Sequence, residues 1–575
     1  MSFEASDLFK MPRSETYQVS DILEKVLTRG EWQLYLPSFQ REFVWDVDDI
    51  KKFFESILSG YPIGTIILWE VPKPDVDAFS LPLINYKESA DENETYYVID
   101  GQQRLTSLML LACGWKVQRE NKTYEIQPIS FNLSNSRLYI GSRRGVDLYR
   151  GVKYYFYGDI FERDAIIEEI GRERFNRYID IIKKLMNYKI PIYIIRTKKH
   201  DSEVINKMAD IFILVNKAGQ RIRNIELLLS YTAGILSQEI ASIIRKHKDE
   251  IETKYSARMD IRPYLRYMFG TVLGLRQQVI SNVRRFEKAM KDLRKQKDLY
   301  GEFILVSRIK DGYPYFRRML ELIKNVFGRA AIDLLPSHLS LIPVATYMYQ
   351  NKIEKLEDIA ADVKQQIKKW IILVNFNGYY TASPDTRLQK DIETVKSSRI
   401  FPYDDLRSNI EKYRPSAIFI TKESIYDGIG RDVRLKQNLN YLFLLYIALI
   451  DNNAGDFSGY ELKALKISDL HKHHIFPRDQ MKEILFGSKT VSEEELTRKG
   501  VNGLGNITLI KSNVNSEISE RHPFEYLREY ERELVGHFIP QNPILWNYKN
   551  FEKFIQTRIE SIYRFLKNKY IDIIK

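Results

Sequence analysis

The longest uninterrupted apolar stretch in this chain is Tyr441 to Ile450, ten residues. A helix of that length rises about 15 Å, half the hydrocarbon thickness of a bilayer. The stretch therefore reads as a core helix, and a membrane drops out as a partner. One hydrophobic core does not extend over 575 residues, so two to four domains are expected. A 44% share of hydrophobic and 29% of charged residues is that of an ordinary folded, soluble protein.

Lys and Arg number 88 against 76 Asp and Glu, a net charge of +12. Spread over the whole chain, that tolerates a polyanionic partner without requiring one. Basic residues crowd between Arg276 and Lys297, at Arg284, Arg285, Lys288, Lys291, Arg294, Lys295 and Lys297. A solvated helix face and a track for phosphates both explain them. The 37 Tyr and 29 Phe likewise suit either large cores or base stacking. The single cysteine, Cys113, excludes a disulfide framework and a Cys-based zinc site. It lies beside Leu108, Leu111 and Ala112 and reads as a buried structural thiol. Residues Met1 to Glu15 hold no apolar run of the kind a secretory signal needs, so a cytoplasmic location is expected.

The pattern predicts an α+β, multidomain protein. Val47 to Leu58 has Ile50, Phe53, Phe54, Ile57 and Leu58 at helical spacing, with Asp46 or Asp48 as its cap and Gly60 as its end. Thr65 to Trp69 and Tyr96 to Ile99 read as strands, and the helix after the second presents Leu105, Leu108, Met109 and Ala112 on one side. From about 160 to 450 the pattern is helical, with Ser383-Pro384 to Arg399 a polar candidate loop. No repeat of fixed period is present. The expected domains are 1–240, a helical connecting region 241–425, and 426–575.

Two constellations carry chemistry. The first pairs Gln40 and Arg41, in Pro37-Ser38-Phe39-Gln40-Arg41-Glu42-Phe43-Val44-Trp45, with Asp100, Gly101, Gln102, Gln103, Arg104 and Thr106. The latter run is a strand, a glycine turn and the first turn of a helix. Backbone N–H groups at a helix start make an anion site where a glycine lets a phosphate approach, and Gln and Arg side chains add donors. The plain alternative is a turn whose arginine pairs with a neighbouring acid. No GxxxxGK[ST] occurs, so any nucleotide chemistry is not that of a P-loop. The second is Leu470-His471-Lys472-His473-His474-Ile475-Phe476-Pro477, which gathers three of the eight histidines into four positions. Adjacent histidines suit a metal or catalytic site better than a core. Leu504-Gly505-Asn506 and Lys511-Ser512-Asn513-Val514-Asn515 follow. A strand ending in His-His, a strand opening with Asn, and a helix bearing Asn is the ββα-metal layout.

These motifs resemble GmrSD-type modification-dependent (type IV) restriction endonucleases. In that family a ParB/sulfiredoxin-like N-terminal domain, covering about residues 15–240 here, is fused to a C-terminal HNH nuclease domain, about 430–565 here. The carriers are DGQQRLT, the QRxFVW run, the YPIGTIILW strand, the later Val215-Asn216-Lys217-Ala218-Gly219-Gln220-Arg221 element and the HHIFP to Asn515 pattern. The resemblance implies nucleotide binding and hydrolysis at Gln40, Arg41, Asp100, Gly101, Gln102, Gln103, Arg104 and Thr106, with GTP, ATP or CTP as the nucleotide. It implies His474 as general base, His473 and Asn515 as ligands of a divalent metal, and Asn506 as the brace that orients the base. His473 stands where many such sites have an acid. An imidazole there moves preference from Mg²⁺ toward Mn²⁺, Co²⁺ or Ni²⁺, and Asp469 or His471, on the same strand face, could substitute. About thirty residues separate His474 from Asn506, so Lys482 to Gly500 must loop out. His522 reads as a loop residue or a phosphate contact. The implied function is NTP-gated cleavage of modified, double-stranded phage DNA in cytoplasmic host defence, by a chain that could dimerise with itself. A ParB-like nucleotide switch that clamps DNA and cuts weakly is one rival. An HNH ribonuclease or toxin is another, because the metal chemistry is indifferent to the sugar.

Overall fold

A computed structural model gives the fold as mixed α and β. It describes residues 8–37, 43, 45–72, 80–85, 94–119, 122–199, 204, 207–208, 211, 238–256, 259–300, 302–487 and 491–575. Gln40, Arg41 and the Val215–Arg221 element lie outside them. The chain forms two compact units, Met1–Ile243 with Met290–Glu302, and Ile244–Ala289 with Phe303–Lys575.

The first unit is built on a six-stranded sheet of β1 (Arg13–Gln18), β2 (Trp32–Leu36), β3 (Ile66–Glu70), β4 (Leu81–Pro82), β5 (Glu94–Asp100) and, after four short strands and a fifth, β11 (Lys189–Ile195). The intervening strands are β6 (Lys116–Arg119), β7 (Lys122–Glu125), β8 (Ile129–Asn132), β9 (Arg137–Ile140) and β10 (Val146–Asp147). They make a two-stranded β6–β7 ribbon and a small sheet in the order β10-β8-β9. The large sheet runs β1-β11-β3-β5-β2-β4, and β5 is parallel to β2 but antiparallel to β3. Tyr96, Tyr97, Val98 and Ile99 are all buried, which is why β5 reads as a continuous apolar run rather than an alternating one. The helix Val47–Ser59 is capped by Asp46, whose side chain accepts from Asp49 N, and closed by the left-handed Gly60.

Three expectations are corrected here. β11 lies in a stretch read as helical, yet Ile190, Ile192 and Ile194 are buried between more exposed neighbours, the period-two signature of a strand. The helix Gln102–Ala112 is buried all round, with only Arg104 partly open, rather than along one side. Cys113 follows its last turn and is exposed, because leaving the helix takes it off the packed surface.

The second unit is mainly helical. Leu439–Asp451 buries every residue from Tyr441 to Ile450, as a core helix should. The candidate loop is instead the helix Pro384–Lys396, with Leu388, Ile392 and Val395 buried. Three apolar residues at i, i+4 and i+7 hold it in place, and its polar remainder hid that narrow stripe. The basic run is the helix Val283–Tyr300, whose residues to Ala289 belong to this unit and the rest to the first; it buries Phe286, Met290 and Leu293 and exposes Arg285, Lys288, Lys291 and Lys295. Toward the end of the chain β12 (Leu470–His474) pairs antiparallel with β13 (Ile507–Lys511), setting His473 opposite Thr508 and His474 opposite Ile507. The helix Ser512–Ile518 follows at once.

Between the two strands the insertion does not loop out. It forms the helices Arg478–Phe486 and Glu493–Arg498, which bury Met481 and Leu496 completely. Those apolar anchors tie it to the core beneath the hairpin.

Candidate active site

β12 ends in two imidazoles that face different ways, as adjacent strand residues do. His473 is 2% exposed and packs edge-on against Tyr526 and Phe457. Its Nε2 lies 3.1 Å from the Tyr526 hydroxyl, and its Nδ1 lies 2.9 Å from Asn515 Oδ1. Tyr526 donates its only proton to the carbonyl of Ile475 at 2.8 Å, so toward His473 it can only accept. Nδ1 faces an amide oxygen, which also only accepts, so a neutral ring with its single N–H serves one of these two contacts. Burial holds the ring neutral, lowering its pKa to about 4.

His474 is half-buried, and its Nε2 lies 3.1 Å from Asn502 Oδ1. Burial again lowers the pKa to about 4; the Asn502 bond opposes this, and the positive charges of Arg434 and Arg478 add to it. The imidazole is thus unprotonated at neutral pH, the state in which it can take a proton from water.

Asn506, fully buried, accepts from Phe476 N at 2.8 Å and donates to the carbonyls of Phe476 and Val501 at 3.1 and 2.9 Å. It staples the turn after β12 to the approach of β13. A side chain at Gly503 would put its Cβ 1.9 Å from the Ile429 carbonyl oxygen, so only glycine lets the chain pass there. Arg558, also fully buried, donates to the carbonyls of Leu504, Gly505, Ile507 and His537.

Tyr526, Asn502 and Arg558 were not singled out from the sequence. Each acts through a contact far away along the chain, and nothing local marks it. His471 is exposed at the start of β12 and does not join His473. Asp469 closes its own turn, accepting from Lys466 N and Ser468 Oγ. Among the described residues no three His, Cys, Asp or Glu side chains converge in a way that could hold a metal, so a closed cage of such ligands is absent there. His522 caps the helix Pro523–Glu529, its Nδ1 accepting from Phe524 N.

In the first unit Asp100 ends β5, and Gly101 follows with φ +95°, a conformation that favours glycine. A Cβ on Gly101 would also lie 2.8 Å from Ile66 Cγ1. The turn leads straight into the helix, whose first N–H groups have no intrahelical acceptor. Arg104 pairs with Asp100 at 2.7 Å and donates to the Ile63 carbonyl at 2.8 Å. Gln103 Oε1 accepts from Trp45 N, and Thr106 Oγ1 from Arg119 Nη2. Gln102 is 3% exposed, and neither atom of its amide has a hydrogen-bond partner among the described residues.

Among the described residues no helix is long and apolar enough to cross a membrane. The chain is 21% identical over 554 residues to an uncharacterized protein, MJ0686, of Methanocaldococcus jannaschii, covering 89% of this chain and 87% of that one. Its N-terminal region, residues 19–233, matches the family described as GmrSD restriction endonuclease, N-terminal domain.

Proposed function

We propose that the chain is a divalent-metal-dependent DNA endonuclease of restriction type, with an HNH site at His473, His474, Asn506 and Asn515 and a regulatory nucleotide site at the Asp100–Thr106 turn. The observation that carries the nuclease reading is the facing pair His473 Nδ1 and Asn515 Oδ1. With the ring proton on Nε2 both atoms can ligate a cation, and they stand 2.9 Å apart. Neighbouring ligands on an octahedral divalent cation with bonds of about 2.1 Å are separated by about 3 Å. His473 and Asn515 would hold such an ion, leaving other positions to water and phosphate oxygens. When bound, it supplies positive charge to a phosphate whose negative charge grows during cleavage. The chain's own part is carried by His474, which accepts a proton from the attacking water, and by Asn506, which keeps the turn bearing that imidazole in place. The match of residues 19–233 to a restriction-endonuclease domain supports DNA as substrate and defence against foreign DNA as the role.

For the nucleotide, the fit rests on Gln102. Two amide atoms in the interior with no partner among the described residues, at the first position of a helix, are what a phosphate or base edge would satisfy. Gln102 and the backbone N–H groups of Gln102 and Gln103 would bind the phosphates. Arg104 would contribute only the donors that Asp100 and Ile63 leave over. The test is incubation of the purified chain with plain and modified phage DNA, in Mg²⁺ or Mn²⁺, with and without each of GTP, ATP and CTP. Metal-dependent breaks favouring modified DNA, altered by one nucleotide, are expected. Intact DNA under every condition would refute the nuclease reading.

A further inference from the structure

The segment between the two strands of the hairpin touches the imidazole assigned above as the base. We infer that the helix Glu493–Arg498, acting through Asn502, decides which ring nitrogen of His474 carries the proton. The inference rests on the nuclease reading for its consequence, but not for its chemistry.

Asn502 is fully buried. Its Nδ2 lies 3.3 Å from Glu493 Oε2 and 3.2 Å from Thr497 Oγ1. A carboxylate only accepts. The Thr497 hydroxyl has already given its proton to the Glu493 carbonyl at 2.7 Å, so toward Asn502 it too only accepts. Two acceptors on one side fix the amide, because the reverse orientation would set Oδ1 against both. The Asn502 oxygen must then face His474, 3.1 Å from Nε2. An amide oxygen cannot donate, so Nε2 bears the hydrogen and Nδ1 keeps its lone pair. The working nitrogen of the base is therefore Nδ1, and it is selected from the far end of an insertion.

Glu493 is itself pinned. Its carboxylate meets Arg478 through one oxygen and Arg434 Nη2, at 2.6 Å, through the other. Asp432 holds Arg434 from behind at 2.6 and 2.9 Å. This gives Lys482 to Gly500 a role. Glu493 and Asn502 are positioning residues: they do not touch the reacting atoms, but they keep one tautomer of the residue that does.

The experiment labels the histidines of the full chain with ¹⁵N and reads the His474 tautomer from long-range ¹H–¹⁵N correlations, its signal identified by its loss in His474→Ala. The parent should show Nε2–H alone. Asn502→Leu removes the acceptor, and Glu493→Gln lets the Asn502 amide reverse; both should bring in an Nδ1–H form. Glu493 is half-exposed, so Glu493→Gln keeps the test alive if Asn502→Leu fails to fold. In DNA cleavage Asn502→Leu should lower kcat by roughly tenfold or more with KM little changed. An Nδ1–H form in the parent, or one unchanged tautomer in all three chains, overturns the inference. Tautomers that shift while no chain cuts DNA would leave it standing and sink the nuclease reading. Cleavage with unmoved tautomers would do the reverse.

Discussion

Gln102 keeps both polar atoms of its amide in the interior without a partner among the described residues, at a cost of about 1–3 kcal/mol. Gln102→Leu, which conserves volume, should hold or raise the melting temperature while weakening nucleotide binding about tenfold or more. Unchanged binding in calorimetry would remove Gln102 from the site. At the other site, an imidazole in place of a carboxylate should let Mn²⁺, Co²⁺ or Ni²⁺ support cleavage at least as well as Mg²⁺ at equal concentration. A strict Mg²⁺ requirement would point to Asp469 instead. The order strand, strand, helix that carries His473, His474, Asn506 and Asn515 was readable in their spacing. Asn502, Tyr526 and Arg558 were not, since what matters about them is which lone pair or proton each presents across the fold.

The elements that hold these residues can be tested separately from the chemistry. Asn506→Ala strips three buried hydrogen bonds from the turn between β12 and β13, for an expected loss of about 3 kcal/mol. Denaturant unfolding should report it, and a variant as stable as the parent would deny Asn506 its bracing role. The helix Pro384–Lys396 carries a further test. Asp391 is fully buried there, accepting from Tyr380 Oη at 2.7 Å and Asn409 Nδ2 at 2.9 Å, with Arg387 and Lys390 as the nearby charges. Burial raises its carboxyl to about 7. Below the ordinary carboxylate range both folded and unfolded chains hold this proton. Between there and about pH 7 only the folded chain does, so stability drains away as pH rises through that window, by on the order of 4 kcal/mol. Asp391→Asn should flatten this part of the curve between pH 4 and 8, and a parent-like slope in the variant would contradict the assignment. That helix was missed in the sequence because one narrow stripe drives it. β11 was missed because its alternation sits among helices. Long, strongly patterned elements such as Val47–Ser59 and Leu439–Asp451 were readable from the residues alone.

For the whole molecule, the proposal couples a nucleotide site in one unit to cleavage in the other. A ligand shifts activity only by binding two states unequally. Gln103→Ala and Arg104→Ala should therefore change cleavage, or its preference for modified DNA, together with nucleotide affinity. Lost binding with wholly unchanged cleavage would leave a nuclease carrying an unrelated nucleotide site. The claim beneath all of this is that His474 takes the proton from water. It is tested most directly by the single-turnover rate of DNA cleavage in Mn²⁺ by the parent and by His474→Ala, with equal folding established by circular dichroism. The account requires the variant to be slower by a factor on the order of 10² or more. A variant that cuts at the parent rate would contradict it.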